Sequence, residues 1–133
     1  MNNPKTLLLL FLLLGAPLRG WSQSDSILVT AADEGRTIEI GRGQELKVAL
    51  DANRTTGFSW LLDSVPSAAL VQLGEPTYVP NAGAPRYAGA GGVETWRFRA
   101  VDTGTQQLRF FYRRPFEKEV PPARIVTLRV QIR

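Results

Sequence analysis

Apolar residues in this chain recur at every second position in short runs, and no long segment repeats them at helical spacing. Glu45-Leu46-Lys47-Val48-Ala49-Leu50-Asp51 sets Leu46, Val48 and Leu50 on one face and charged residues on the other. Period two sends neighbouring side chains to opposite faces of a strand, so such a run is a ribbon with one face for a core and one for water. Arg36–Ile40, Thr95–Ala100 and Ile125–Ile132 carry the same alternation, and Ile27–Thr30, Ser59–Asp63, Ala69–Leu73 and Gln107–Tyr112 read as further strands. Gly41-Arg42-Gly43 and Asp102-Thr103-Gly104 punctuate them as turns. Pro66-Ser67-Ala68-Ala69 leaves a helical turn open before the 69–73 strand. About seven to eight short strands in roughly 110 residues predict an all-β fold, an immunoglobulin-like antiparallel β-sandwich, with a small barrel as the alternative.

The first 22 residues stand apart from that pattern. Lys5 precedes Leu7–Leu14, an unbroken apolar run, and Gly15-Ala16-Pro17 follows. A basic start, a short apolar stretch and small residues make a secretory signal peptide, here expected over 1–22. The run is well short of the about 20 residues that span a bilayer, so no membrane span is expected in the mature chain. The domain is then 23–133, and the protein is expected to be exported, either periplasmic or secreted. Without Lys5 and Arg19 it carries 14 basic and 12 acidic side chains, a net charge of +2 that gives no basic stripe for nucleic acid.

The chain has no cysteine and no histidine. Disulfides, thiolate or imidazole metal ligands, and cysteine- or histidine-based catalysis are therefore closed. The carboxylates Asp63, Glu75, Glu94 and Asp102 are scattered, with nothing pairing two of them for acid–base work. No enzyme, metal or cofactor is expected, and an exported domain without disulfides must be held by its core alone.

What remains is in the connections. Residues 80–92 and 113–124 are longer than a sandwich needs. If successive strands alternate in direction, these two and the connection 52–58 leave the same end of the scaffold. The first reads Asn53-Arg54-Thr55-Thr56-Gly57-Phe58, a narrow polar tip in which Asn53 caps the turn and Gly57 permits positive φ. The second ends Gly89-Ala90-Gly91-Gly92, where a backbone can lie close against another backbone. The third opens Arg113-Arg114-Pro115-Phe116-Glu117, an aromatic braced by proline. Each segment alone also reads as an ordinary turn or linker.

In this order, Asn-x-Thr-Thr-Gly-aromatic, Gly-x-Gly-Gly and Arg-Pro-aromatic resemble the chagasin family of cysteine-peptidase inhibitors, over about residues 27–133. The resemblance implies a partner, a papain-like cysteine peptidase, blocked tightly and reversibly by a monomer. It implies that Thr55, Thr56 and Gly57, with Asn53 and Phe58 beside them, enter the peptidase cleft at the catalytic cysteine. Gly89, Gly91 and Gly92 would lie along the non-primed side, and Arg114, Pro115 and Phe116 would grip the primed side. The family often has proline where Arg54 stands and tryptophan where Phe116 stands. Arg54 is thus expected to lose some rigidity at the tip and to add a charge near the target. A second reading keeps the same loops on a non-inhibitory module that binds a carbohydrate, a peptide or a surface partner. Asn53-Arg54-Thr55 is also a formal glycosylation sequon, and a glycan there would obstruct the tip.

Overall fold

The computed structural model describes residues 25–63, 67–81 and 91–133. The expected signal peptide, Gly89 and the turn at Pro66 lie outside the described residues.

Among the described residues, nine strands form two facing sheets: β1 (Ser26–Thr30), β2 (Thr37–Ile40), β3 (Glu45–Ala52), β4 (Ser59–Leu62), β5 (Leu70–Gln72), β6 (Thr77–Pro80), β7 (Gly92–Ala100), β8 (Gly104–Arg113) and β9 (Arg124–Ile132). One sheet runs β1-β3-β7, with both β5 and β6 on the far edge of β7; the other runs β2-β9-β8-β4. The inward faces follow the period-two pattern, so Leu46, Val48 and Leu50 of β3 oppose Leu108 and Phe110 of β8 and Leu128 of β9 in one buried core. Across it, Trp96 meets Phe110 edge-on at 5.4 Å between ring centres.

Two features depart from a purely antiparallel reading. β1 pairs with β3 in parallel, and β2 pairs with β9 in parallel. The chain crosses between sheets after β1 through a single 3-10 turn, Ala31–Asp33, instead of folding back as a hairpin. Thr30 and Asp33 cap that turn reciprocally, with the Asp33 carboxylate accepting from the Thr30 N–H at 2.9 Å and the Thr30 hydroxyl oxygen from the Ala32 N–H at 3.3 Å. Each sheet thus receives one of the two as an edge strand, paired in parallel with its neighbour.

The sequence reading also lacks β6, a short run between Pro76 and Pro80. A strand ending in proline belongs at an edge, which is where β6 lies. The omission does not change which loops share an end. β5 pairs with Leu70↔Ala100 to Gln72↔Phe98 and β6 with Thr77↔Thr95 to Pro80↔Gly92, both antiparallel to β7. They are one strand broken at Leu73–Pro76, where Gly74 has φ +70° and the Leu73 N–H still reaches the Arg97 carbonyl at 2.8 Å. The alternation of directions survives the extra strand. Ser67–Ala69 forms a turn into β5, with no helix.

On the outer face of the first sheet, Glu45 accepts a hydrogen bond from the Arg97 guanidinium. That bond, reinforced by the arginine's charge and only partly opposed by burial, holds the Glu45 carboxyl below the ordinary carboxylate range. A depressed folded value means stability present above the unfolded pKa and lost as pH falls through the folded one. E45Q is therefore expected to melt below the parent at neutral pH, with the difference closing as pH falls through the lowered Glu45 value. Thermal melts of both proteins across that range check it.

Candidate functional site: three connections at one end of the sandwich

The Asn53–Gly57 tip is built by its own side chains. The Asn53 carboxamide oxygen accepts from the Thr55 N–H at 3.2 Å and from the Thr55 hydroxyl at 2.6 Å. The Thr56 hydroxyl donates to the Asn53 carbonyl at 2.7 Å. Arg54–Thr56 form one 3-10 turn, closed by the Gly57 N–H on the Arg54 carbonyl at 3.1 Å. Gly57 ends the turn at φ +80°, left-handed backbone that a side chain would strain. The root is fixed as well, since the Asn53 N–H donates to the Tyr112 hydroxyl on β8 at 2.8 Å. Arg54, Thr55, Thr56 and Gly57 are all exposed. The result is a projecting turn whose shape is set before any partner arrives.

The connection after β8 leans against this tip. The Arg114 Nε donates to the Thr56 carbonyl at 3.0 Å, and its Nη1 reaches the Glu117 carboxylate at 3.1 Å. The guanidinium also lies 4.6 Å from the centre of the Phe58 ring, which stacks in turn on Tyr112 at 5.2 Å. Arg114 and Phe58 thus hold the two loops together in the free protein. Arg113 closes the base of its own loop, donating to the Glu117 carbonyl at 2.6 Å and the Val120 carbonyl at 3.1 Å. Pro115 and Phe116 point outward. Phe116 is 74% exposed, yet a Cβ on Gly57 would come within 3.8 Å of its ring, so tip and aromatic form one ridge.

The described stem of the 80–92 connection emerges alongside. Pro80 pairs with Gly92, and the Asn81 N–H reaches the Gly91 carbonyl at 3.1 Å. Gly92 pairs on its other side with Ala52, one residue before Asn53, so this stem stands at the root of the threonine tip. Gly92 is itself buried: a Cβ there would fall 2.5 Å from Tyr78 Cζ and 2.6 Å from the Val79 carbonyl oxygen. The structure therefore brings Asn53, Thr55, Thr56, Gly57, Phe58, Gly91, Gly92, Arg114, Pro115 and Phe116 to one end of the sandwich. Gly89 lies outside the described residues.

Sequence reasoning missed a feature behind the tip. Arg54 turns back, with Nη2 3.8 Å from the Glu94 carboxylate and its guanidinium 4.8 Å from the centre of the Tyr78 ring. Glu94 is 1% exposed, on the core face of β7 with Trp96 and Phe98. Burial pushes its carboxyl above the ordinary range, against the weaker pull of the Trp60 N–H at 3.5 Å, the Arg54 charge and the nearby Trp96 indole. The Trp96 N–H makes no hydrogen bond of good geometry. Arg54, Glu94 and Trp96 line an open cleft of about 410 Å³ beside the tip, bounded also by Phe58, Trp60 and Glu75. The parity of β7 was the available signal, because an acid in register with Trp96 and Phe98 sits where only apolar residues are expected. Among the described residues no group of acids is placed to hold a metal ion.

A family model described as the chagasin family peptidase inhibitor I42 matches residues 39–130. The chain is 30% identical to amoebiasin-1 of Entamoeba histolytica over 104 residues, covering 78% of this chain and 97% of that protein. It is 27% identical to chagasin of Trypanosoma cruzi over 92 residues, covering 66% and 81%. The crystal structure of the cysteine protease inhibitor EhICP2 of Entamoeba histolytica superposes with a TM-score of 0.69 at 22% identity, covering 81% of this chain and 95% of that one, and so shares the fold. A two-sheet sandwich that gathers a threonine turn, a glycine stem and a proline-braced phenylalanine at one end, matched over most of its length by that model, belongs to the chagasin family of peptidase inhibitors and is no enzyme.

Proposed function

We propose that this protein inhibits papain-like cysteine peptidases reversibly, as an exported monomer, by seating the Thr55-Thr56-Gly57 tip in the active-site cleft. The glycine connection lies to the non-primed side and Arg114-Pro115-Phe116 to the primed side. The observation that carries this reading is the ridge itself: a self-capped, exposed turn tied through Arg114 to the loop that presents Phe116, 74% exposed. A papain-like cleft is narrow, and a short 3-10 turn fills it without offering an extended scissile peptide. A tip ordered beforehand costs less to immobilise on binding, so modest contact area yields tight association. No group on the inhibitor has to transfer a proton, which accords with a chain lacking histidine and cysteine.

Titration of the purified protein into papain tests the reading, with inhibition in the nanomolar range expected. F116A is expected to weaken that inhibition by about 10- to 100-fold, the ordinary cost of removing an aromatic anchor at an interface. Its melting temperature should not move, because the ring packs mainly against solvent. Full papain activity at saturating protein, repeated with a cathepsin-type enzyme, would overturn the proposal and favour a non-inhibitory binding module.

A further inference from the structure

The tip is fastened on two sides by two arginines. Arg114 ties it to the connection after β8. Arg54, which belongs to the tip, ties it to the other neighbour, because Glu94 and Tyr78 sit opposite each other on β7 and β6, the strands that carry the glycine connection. We propose that Arg54 is a positioning residue for inhibition: its guanidinium, held between buried Glu94 and the face of Tyr78, locks the Thr55-Thr56-Gly57 turn to the stem of the glycine connection. The inference rests on the inhibitory reading of the ridge and adds to it the device that keeps two of its three parts in register.

The geometry favours a clamp over an incidental surface pair. Glu94 is anchored on a central strand, so one end of the pair cannot wander. Arg54 is pinned at its backbone, where its carbonyl accepts the hydrogen bond closing the turn. Its side chain spans from that turn to β7, so any swing of the tip away from the stem must break both the ion pair and the ring contact. A planar guanidinium suits both tasks at once, pairing with a carboxylate while lying on an aromatic face.

The clamp depends on a charged Glu94. Facing that carboxylate are Arg54 from the turn, the Trp60 N–H from β4, Glu75 across the cleft, Tyr78 from β6, Leu50 from β3 and Trp96 on its own strand. Arg54 is the sole positive charge among them. Protonation as pH falls through the folded Glu94 value removes Arg54's anionic partner and loosens the tip. The effect on the fold has the opposite sign. A buried acid whose folded pKa is raised stabilises the fold at low pH, and that contribution is lost as pH rises through the folded value.

Two variants and two readouts test the clamp. R54A and E94Q are each expected to weaken papain inhibition about tenfold at neutral pH, the cost of ordering a loop that the parent holds ready. The ratio of each variant's inhibition constant to the parent's, taken against the same peptidase at each pH, should fall toward unity as the solution is acidified. Amide hydrogen exchange at Thr56 and Gly57 in the free protein should accelerate in both variants. E94Q should not lower the melting temperature at neutral pH, which separates positioning from structural damage. Unchanged exchange at these amides, or unchanged inhibition constants in a parent that inhibits, overturns the proposal. A parent that leaves papain active but shows the accelerated exchange in its variants refutes the inhibitory reading and leaves the clamp standing.

Discussion

The double variant T55E/T56E is expected to lose at least about a thousandfold in affinity for papain, some 4 kcal/mol, while remaining folded. Both threonines are exposed on the ridge, and their hydroxyls bond to Asn53 within the turn. Glutamates there add bulk to a wedge meant for a narrow groove. They would also carry two carboxylates into the cleft beside arginines that already have acidic partners, Arg114 with Glu117 and Arg54 with Glu94, and desolvated, poorly paired charge is costly. The fold loses little, because the residues are exposed and the hydroxyl bonds surrendered are worth about 1 kcal/mol each. Inhibition constants alongside thermal melts check both halves. A double variant within tenfold of the parent would show that the tip does not enter the cleft.

The second large effect concerns stability. G92A is expected to destabilise the domain by about 3 kcal/mol, lowering its melting temperature by roughly 10–15 °C. The new methyl would stand 2.5 Å from Tyr78 Cζ and 2.6 Å from the Val79 carbonyl oxygen. The tyrosine ring would have to turn, and the carbonyl belongs to β6 and shifts only if the β6–β7 pairing opens. G91A is the control: its methyl meets the Asn81 amide at 3.5 Å and the Ala52 carbonyl at 3.7 Å, ordinary contacts that leave stability nearly unchanged. Its effect on papain therefore reports on the glycine connection as a binding surface, which G92A cannot do cleanly. A G92A melt within two or three degrees of the parent would mean that the strand yields more readily than its hydrogen bonds imply.

The strands of the core were legible because alternation is a local property. Leu46, Val48 and Leu50 announce which face of β3 is buried whatever β3 pairs with. β6 was not legible, since four residues ending in proline hold too little pattern. The parallel pairing of β1 with β3 and of β2 with β9 escaped for a different reason: a strand's own sequence does not state its partner's direction, and both partners lie elsewhere in the chain. At the ridge, Asn53, Gly57 and Pro115 were readable as turn chemistry, because capping, positive φ and fixed φ act within a few residues. The inward use of Arg114 and Phe58 was not, as it depends on a carbonyl 58 positions away and on the ring of Tyr112. Arg54 is the sharpest case. Its place in a polar tip suggests a charge offered to the partner, whereas its guanidinium is turned back to Glu94 and Tyr78.

Composition and short-range pattern were enough to establish an all-β domain held by its core without disulfides or metal-binding cysteine and histidine, and to single out three connections that leave one end of it. Which side chains face a target and which brace the loops depended on packing between residues remote in the chain. The division has a simple cause. Backbone preference and hydrophobic alternation are decided within a handful of neighbours, but a guanidinium chooses among acids, carbonyls and aromatic faces only after two sheets have closed and brought those choices within reach.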